Sequence, residues 1–236
     1  MVRKQAIEVI GINEIPEFWN VLTEDQKAYL QANITLQHYK KNELIHKEGG
    51  EPTHMMILVR GKVKIYKSGV GGRSQIMRML KPYEYFGYRA IFAHGNFHGY
   101  NTNARAFESC SIYKIPATVI TDLLQQNAKL AFSFVQRLAA DLGASDARMV
   151  NLTQKHIRGR LAETLLFLKE SYGLEADGAT INIYLAREDI ANLSNMNTSN
   201  AIRTLSTFAT EGIIAVDGRK IKIIDEERLH KISRLG

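Results

Sequence analysis

The sequence predicts an α+β chain in three parts: an N-terminal β-roll of jelly-roll type over residues 1–117, a long helix over 118–152, and a C-terminal winged helix-turn-helix over 153–236. Three features point to it. The front part alternates apolar and polar residues at period two between glycine-rich breaks, the middle repeats apolar residues at the spacing of a helical seam, and the end reads helix, turn, helix and hairpin.

In the front part, Met56 to Val59, Lys62 to Lys67 and Gln75 to Leu80 are short strand candidates. Gly61, the stretch from Gly69 to Gly72, and Lys81-Pro82 separate them, as turn residues do. Charged residues alternate with Val63 and Ile65, which marks a strand with one buried and one wet face. A further run from Ala104 to Ile115 stops at Pro116 and completes the material for two packed sheets. Met55, Met56, Met77, Met79 and Cys110 fall in these strands and are expected in the core. Trp19, beside Phe18 and Leu22, is expected to anchor an N-terminal helix on the roll.

The helical segment runs from about Ala117 to Leu152. In it Phe134, Leu138, Leu142, Ser145, Met149 and Leu152 recur at spacings of 4, 4, 3, 4 and 3, near the 3.5-residue repeat of a two-helix seam. The stripe fits packing on its own domain as well as packing on a second copy. A second copy would set two C-terminal helix-turn-helix units at a fixed spacing, so these six residues are the expected dimer interface.

In the last part, Ile190, Ala191 and Leu193 form the inner face of a first helix, residues 194–197 supply the turn, and Ile202, Leu205 and Phe208 form the stripe of a second. An ordinary helical hairpin would show the same pattern. The continuation favours a winged helix: Glu211-Gly212 stops the helix, and Ile213 to Val216 and Lys220 to Ile224 flank the turn signal Asp217-Gly218. Thr198, Ser199, Asn200 and Arg203 point outward on the second helix, where a recognition helix meets base edges. Thr198 and Ser199 suit either base contact or helix capping. Arg187 and Lys220, with Arg203, Arg219 and Lys222, could form a phosphate-facing stripe.

Composition narrows the class. The 236 residues are 45% hydrophobic, enough for two cores, and no apolar run approaches the roughly 20 residues needed to span a bilayer. With no signal-peptide core in the first residues, a cytoplasmic location is expected, without membrane partners. A single cysteine supplies neither a disulfide nor the four thiolates of an iron–sulfur cluster. The net charge of +7 suggests nucleic acid, yet residues 1–150 hold 19 basic against 13 acidic side chains and the rest 12 against 11. The excess lies away from the expected DNA reader, so placement of individual cations matters more than the total.

Roll, long helix and winged helix in this order resemble the Crp/Fnr family of bacterial transcription regulators. The resemblance runs from about Phe18 to Ile224. It is carried by the run from Tyr39 to Gly49, the strand from Gly61 to Tyr66, the segment from Gly159 to Leu168 and the helix-turn-helix. It implies a cyclic-nucleotide-binding-like roll, a homodimer on palindromic double-stranded DNA, RNA polymerase as a further partner, a small effector of unknown identity, and no enzymatic activity. Family members that bind a cyclic nucleotide carry a glutamate after a glycine for the ribose and an Arg-Ser pair for the cyclic phosphate. Here those positions fall on Tyr88 and on Tyr100-Asn101. A phosphate buried without a cation pays a desolvation cost of several kcal/mol, so cyclic-nucleotide binding is disfavoured unless Arg89 swings in. Tyr88, Arg89, Tyr100, Asn101 and Ser145 are the candidate effector-pocket residues. On the recognition helix, the family's Arg or Val, Glu and later Arg are matched by Thr198, Ser199 and Arg203; the resemblance thus implies a guanine contact from Arg203 and, with the Glu lost, an adenine contact from Asn200, so the half-site should differ from the usual family sequence.

No cofactor is required by the sequence. Some relatives sense gases through haem, and His94 and His98 near Phe92 and Phe97 are the candidate haem ligands, although Gly95-Asn96 between them reads as a loop. A cupin-like metalloenzyme is the alternative from another class; no His-x-His with a partnering carboxylate supports a metal site.

Overall fold

A computed structural model describes residues 15–69, 74–93 and 99–236, in two compact units. The first comprises the described residues up to 67 together with 78–141, and the second 68–77 together with 142–236. The first unit opens with α1 (Pro16–Trp19) and α2 (Glu24–Asn33). Helix α2 starts where Thr23 and Gln26 form a capping box: the Thr23 hydroxyl accepts from the Gln26 amide, and the Gln26 side chain accepts from the Thr23 amide.

Among the described residues eight strands form the roll: β1 (Thr35–Tyr39), β2 (Leu44–His46), β3 (His54–Arg60), β4 (Val63–Ser68), β5 (Ser74–Leu80), β6 (Tyr85–Phe86), β7 (Asn103–Ala106) and β8 (Cys110–Pro116), with α3 (Tyr88–Phe92) between β6 and β7. They make two four-stranded sheets, ordered β1-β8-β3-β6 and β2-β7-β4-β5. The side-chain period of two sorts β3 and β8 between two cores. Met56, Leu58, Cys110 and Ile112 face the interior between the sheets, with Val63, Ile65 and Tyr100. Met55, Ile57, Tyr113 and Ile115 face the helices, with Phe18, Leu30 and Phe134. Because both faces are covered, β3 reads as an unbroken apolar run. Gly61 turns β3 into β4 with φ 89°, and a Cβ there would lie 2.5 Å from the Ser109 carbonyl oxygen, so only glycine fits. Met77, expected in the core, is instead exposed on β5.

The helical segment is broken once. Helix α4 (Ala117–Gln126) ends at Asn127, whose backbone is extended, and α5 (Ala128–Gln154) continues for 27 residues. Asn127 holds the break: its carboxamide donates to the Val21 carbonyl and accepts from the Leu130 amide, a capping bond for the new helix. The two compact units divide this helix at Asp141, where a separate segment over 118–152 was expected.

The second unit continues with α6 (Ile157–Tyr172), α7 (Arg187–Leu193), α8 (Thr198–Thr210), the hairpin β9 (Ile214–Asp217) and β10 (Lys220–Ile223), and α9 (Glu226–Leu235). Gly218 and Arg219 form the hairpin tip, since Asp217 pairs directly with Lys220. Ile181 donates to the Ile221 carbonyl and Ile223 to that of Ala179, so residues 179–181 add a third extended segment to the wing. Among the described residues, no helix is long and apolar enough to cross a membrane.

Candidate nucleic-acid interface and effector pocket

Helices α7 and α8 are joined by a short turn in which Asn195 takes a left-handed backbone, φ 50°, a conformation asparagine tolerates. Ser194, buried beneath the turn, donates to the Ile190 carbonyl and lies 2.9 Å from the Thr164 hydroxyl of α6. Arg160 of α6 donates to the Ser194 carbonyl. The turn is therefore fixed by buried hydrogen bonds as well as by packing of Ile190 and Leu193.

Asn197 caps α8: its side chain accepts from the Asn200 amide at 2.7 Å. Thr198 and Ser199 are left exposed with the cap already supplied, so of their two expected roles capping falls to Asn197. Asn200 is half-buried and Arg203 exposed. The buried stripe of α8 is Ala201, Thr204, Leu205 and Phe208, at the i, i+3, i+4, i+7 spacing of one helix face. Ile202, expected in this stripe, is 47% exposed. One residue on from Ala201 is a turn of about 100°, which carries Ile202 to the flank of the outer face beside Ser199 and Ser206.

The far end of α8 is clamped. Arg158 of α6 makes two 2.8 Å bonds to the Glu211 carboxylate, and Arg228 of α9 donates to the same carboxylate and to the Glu211 carbonyl. The Arg158 hydrogen bonds hold the Glu211 carboxyl below the usual carboxylate range. The Arg158 guanidinium also lies 5.0 Å from the centre of the buried Phe208 ring.

The expected phosphate stripe divides. Arg187 donates to the Gly218 carbonyl at 2.6 Å, tying α7 to the tip of the wing. Lys220 lies 3.5 Å from Glu175 and over the Tyr184 ring, and Lys222 lies 3.3 Å from Asp177. Arg203 and Arg219 are exposed and make no ion pair among the described residues. Of the five cations expected on the stripe, these are the two whose guanidinium groups are engaged by no carboxylate or carbonyl among the described residues.

In the roll, the candidate effector residues separate into two environments. Gly87, φ 85°, starts α3, and a Cβ there would come within 2.8 Å of the Met56 methyl. Tyr88 follows it into the helix-facing core, fully buried, with its ring 5.7 Å from that of Phe134. Its hydroxyl donates to Asp141 of α5. Arg89 binds the same carboxylate through Nε at 3.1 Å and Nη2 at 2.7 Å, and Arg78 lies 3.9 Å away. Burial raises the Tyr88 hydroxyl's pKa, and the Asp141 bond adds to it. Burial alone would raise the Asp141 carboxyl too; the Tyr88 and Arg89 hydrogen bonds and the charges of Arg78 and Arg89 outweigh it and hold the carboxyl below its usual range.

Tyr100 sits apart from this cluster, in the core between the sheets. Its ring stacks on His46 at 3.9 Å between centroids and 11° between planes, and its hydroxyl donates to the His54 carbonyl at 3.2 Å. Burial draws the His46 pKa down to about 4, so the imidazole is neutral at pH 7. Tyr100, His46, His54, Met56 and Lys114 line a cavity of about 210 Å³ to which Tyr88 and Arg89 do not contribute. Asn101 is exposed, as is Ser145 on α5. Cys110 is buried in the same core, where burial pushes its thiol up to about 11 and keeps it protonated. His94 and His98 lie outside the described residues, and among those described no group of three His, Cys, Asp or Glu could hold a metal ion.

On α5 the expected seam also divides. Phe134 is buried among Phe18, Tyr85, Tyr88 and Phe92, and Leu138 packs against that core. Leu142 and Met149 are exposed, Ser145 is exposed and Leu152 half-buried. Val135, next to Phe134, is exposed as well, so Val135, Leu142 and Met149 repeat on the open face at intervals of seven.

Residues 36–127 match the family described as cyclic nucleotide-binding domain, and residues 159–232 match the Crp-like helix-turn-helix domain. The CRP-like cAMP-activated global transcriptional regulator of Mycobacterium tuberculosis is 24% identical over 208 residues, 88% of this chain and 92% of that protein. The anaerobic regulatory protein of Bacillus subtilis is 24% identical over 203 residues, 86% of this chain and 84% of that one. Among solved structures, FixK2 from Bradyrhizobium japonicum has a TM-score of 0.74 at 23% identity, covering 84% of this chain and 96% of its own. The c-di-GMP responsive global regulator CLP of Xanthomonas campestris reaches 0.75 at 15% identity, over 85% and 99%. At these identities the structural likeness bears on fold.

Proposed function

The chain belongs to the Crp/Fnr family of transcription regulators, with a helix-turn-helix for DNA and an effector-sensing domain, and on that premise we propose a homodimer that reads a palindromic site and whose roll has lost the cyclic-nucleotide phosphate site. The observation that carries the DNA reading is the outer face of α8: Thr198, Ser199 and Arg203 stand exposed beyond a fully packed inner stripe, and Asn197 already caps the helix. Arg203 can bond guanine O6 and N7 in a bidentate way.

The dimer reading rests on Val135, Leu142 and Met149, an apolar row seven residues apart on a 27-residue helix. Its occupant is a second copy of α5, because one short recognition helix reads few base pairs and a symmetric pair reads two half-sites. Loss of the phosphate site is supported by what fills the roll. Tyr100 occupies the core as a neutral ring on a neutral imidazole, and the Arg89 guanidinium is committed to Asp141. A cyclic phosphate beside Tyr100 would meet the lysines that line the cavity, Lys47 and Lys114, and not the bidentate arginine that the resemblance calls for.

An effector in the roll would act through α5. Asp141 ties that helix to α3 through Tyr88 and Arg89, so a ligand that repacks α3 shifts the population of helix arrangements and with it the spacing of the recognition helices. The test is selection of bound DNA from a random pool by the purified protein without cyclic nucleotide. An enriched inverted repeat supports the reading; DNA retained without enrichment, or none retained at low salt, contradicts it.

A further inference from the structure

The outer face of α8 carries one large apolar side chain that packing does not explain. Ala201, Thr204, Leu205 and Phe208 fill the inner face, while Ile202 is 47% exposed between Ser199 and Ser206 and next to Arg203. We propose that Ile202 reads the C5-methyl of a thymine adjacent to the guanine held by Arg203 in each half-site. The inference rests on α8 being the recognition helix and adds the base class that its apolar position selects.

The chemistry is restrictive. In the major groove, base edges offer hydrogen-bond donors and acceptors at every pair but only one alkyl group, the thymine methyl. A branched aliphatic side chain cannot bond a base edge or a phosphate. Buried against cytosine or guanine, it would strip water from polar atoms and return nothing; against a thymine methyl it removes apolar surface from water on both sides. Ser199 and Ser206, one turn away on either side, are short, so neither blocks the approach of Ile202 to the groove floor. Ile202 and Arg203 are consecutive, only about 1.5 Å apart along the helix axis, so both reach the same short stretch of groove floor.

Uracil tests this directly, because it lacks the methyl and keeps every hydrogen-bonding edge of thymine. The selected operator is rebuilt with each thymine replaced in turn by uracil, and the dissociation constant of the full-length protein is measured for each. One thymine per half-site should weaken binding by about fourfold when changed, the worth of one buried methyl. Ile202→Ala should bind the thymine operator more weakly and discriminate thymine from uracil at that position less than twofold; Ile202→Val, which keeps the branch, should retain most of the discrimination. Circular dichroism checks that both variants fold. If every uracil operator binds like its thymine parent, or if Ile202→Ala keeps the wild-type ratio, the methyl reading is overturned while DNA recognition stands. If no operator is enriched, with or without a small-molecule cell extract, both readings fall.

Discussion

Replacing Leu142 by alanine should weaken the proposed α5 dimer without unfolding the chain. Leu142 is 63% exposed on α5, and full burial of a leucine side chain is worth about 1.5–3 kcal/mol. Covering that exposed share against a second helix is therefore worth about 1–2 kcal/mol per chain and, with one copy on each helix, about 2–4 kcal/mol per dimer. At 1.4 kcal/mol per tenfold, the dimer dissociation constant should rise by roughly 30- to 1,000-fold. Sedimentation equilibrium over a concentration series reads this directly, and circular dichroism should be unchanged because the side chain leaves no cavity in the monomer. Phe134→Ala is the contrasting variant. That ring is buried among four other aromatic rings of its own unit, so its loss should cost about 3–5 kcal/mol of folding stability. An unchanged dimer constant in Leu142→Ala, or a wild-type protein that stays monomeric at high concentration, would refute the seam.

Arg203→Ala should cost about 1–3 kcal/mol of binding and relax preference at one base pair, measured by competition among single-base operator variants. Arg219→Ala should weaken all sequences alike and lower the salt slope by about one; Lys220→Ala should do less, since Glu175 already holds that ammonium. Asp141, with its carboxyl held below the usual range, contributes stability that is present above its unfolded pKa of about 3.9 and is lost as pH falls through the lower folded value. Asp141→Asn should therefore be less stable than wild type in urea unfolding at pH 7, and the gap should narrow as the pH drops below about 4; a gap independent of pH would count against the charge being the source. Cyclic AMP should give no binding heat by calorimetry and leave operator affinity within twofold, whereas saturable binding would restore the phosphate site.

The helix-turn-helix was legible because its inner face is fixed by close spacing, and the wing because Asp217-Gly218 permits a two-residue turn. The faces of single residues were less so. Ile202 lies one step off a stripe whose true members include Ala201 and Thr204, which apolar pattern alone does not count. Helix α5 carries two rows: Leu130, Phe134 and Leu138 packed on their own unit, and Val135, Leu142 and Met149 on the open face. Adjacent in sequence, they merge into one stripe when read by spacing. The break at Asn127 depends on a carboxamide meeting Val21, about a hundred residues away, and no local pattern encodes that. Strand β1 is exposed along most of its length and shows no alternation to recognise. The resemblance places Tyr88 and Tyr100 together at the family's phosphate turn, but their separation, one to Asp141 and one to His46, is a property of packing that sequence spacing does not carry.

At the centre of the proposed function is a homodimer whose two recognition helices meet the half-sites of a palindrome at a fixed spacing. Half-site spacing tests it most directly: in the selected operator, five base pairs are inserted between the half-sites and the affinity is remeasured. Half-sites about 34 Å apart lie on one face of B-DNA, and five extra base pairs rotate one of them to the opposite face. The account predicts that binding falls to the level of a single half-site and recovers in part with a ten-base-pair insertion. Equal affinity for all three spacings would contradict it.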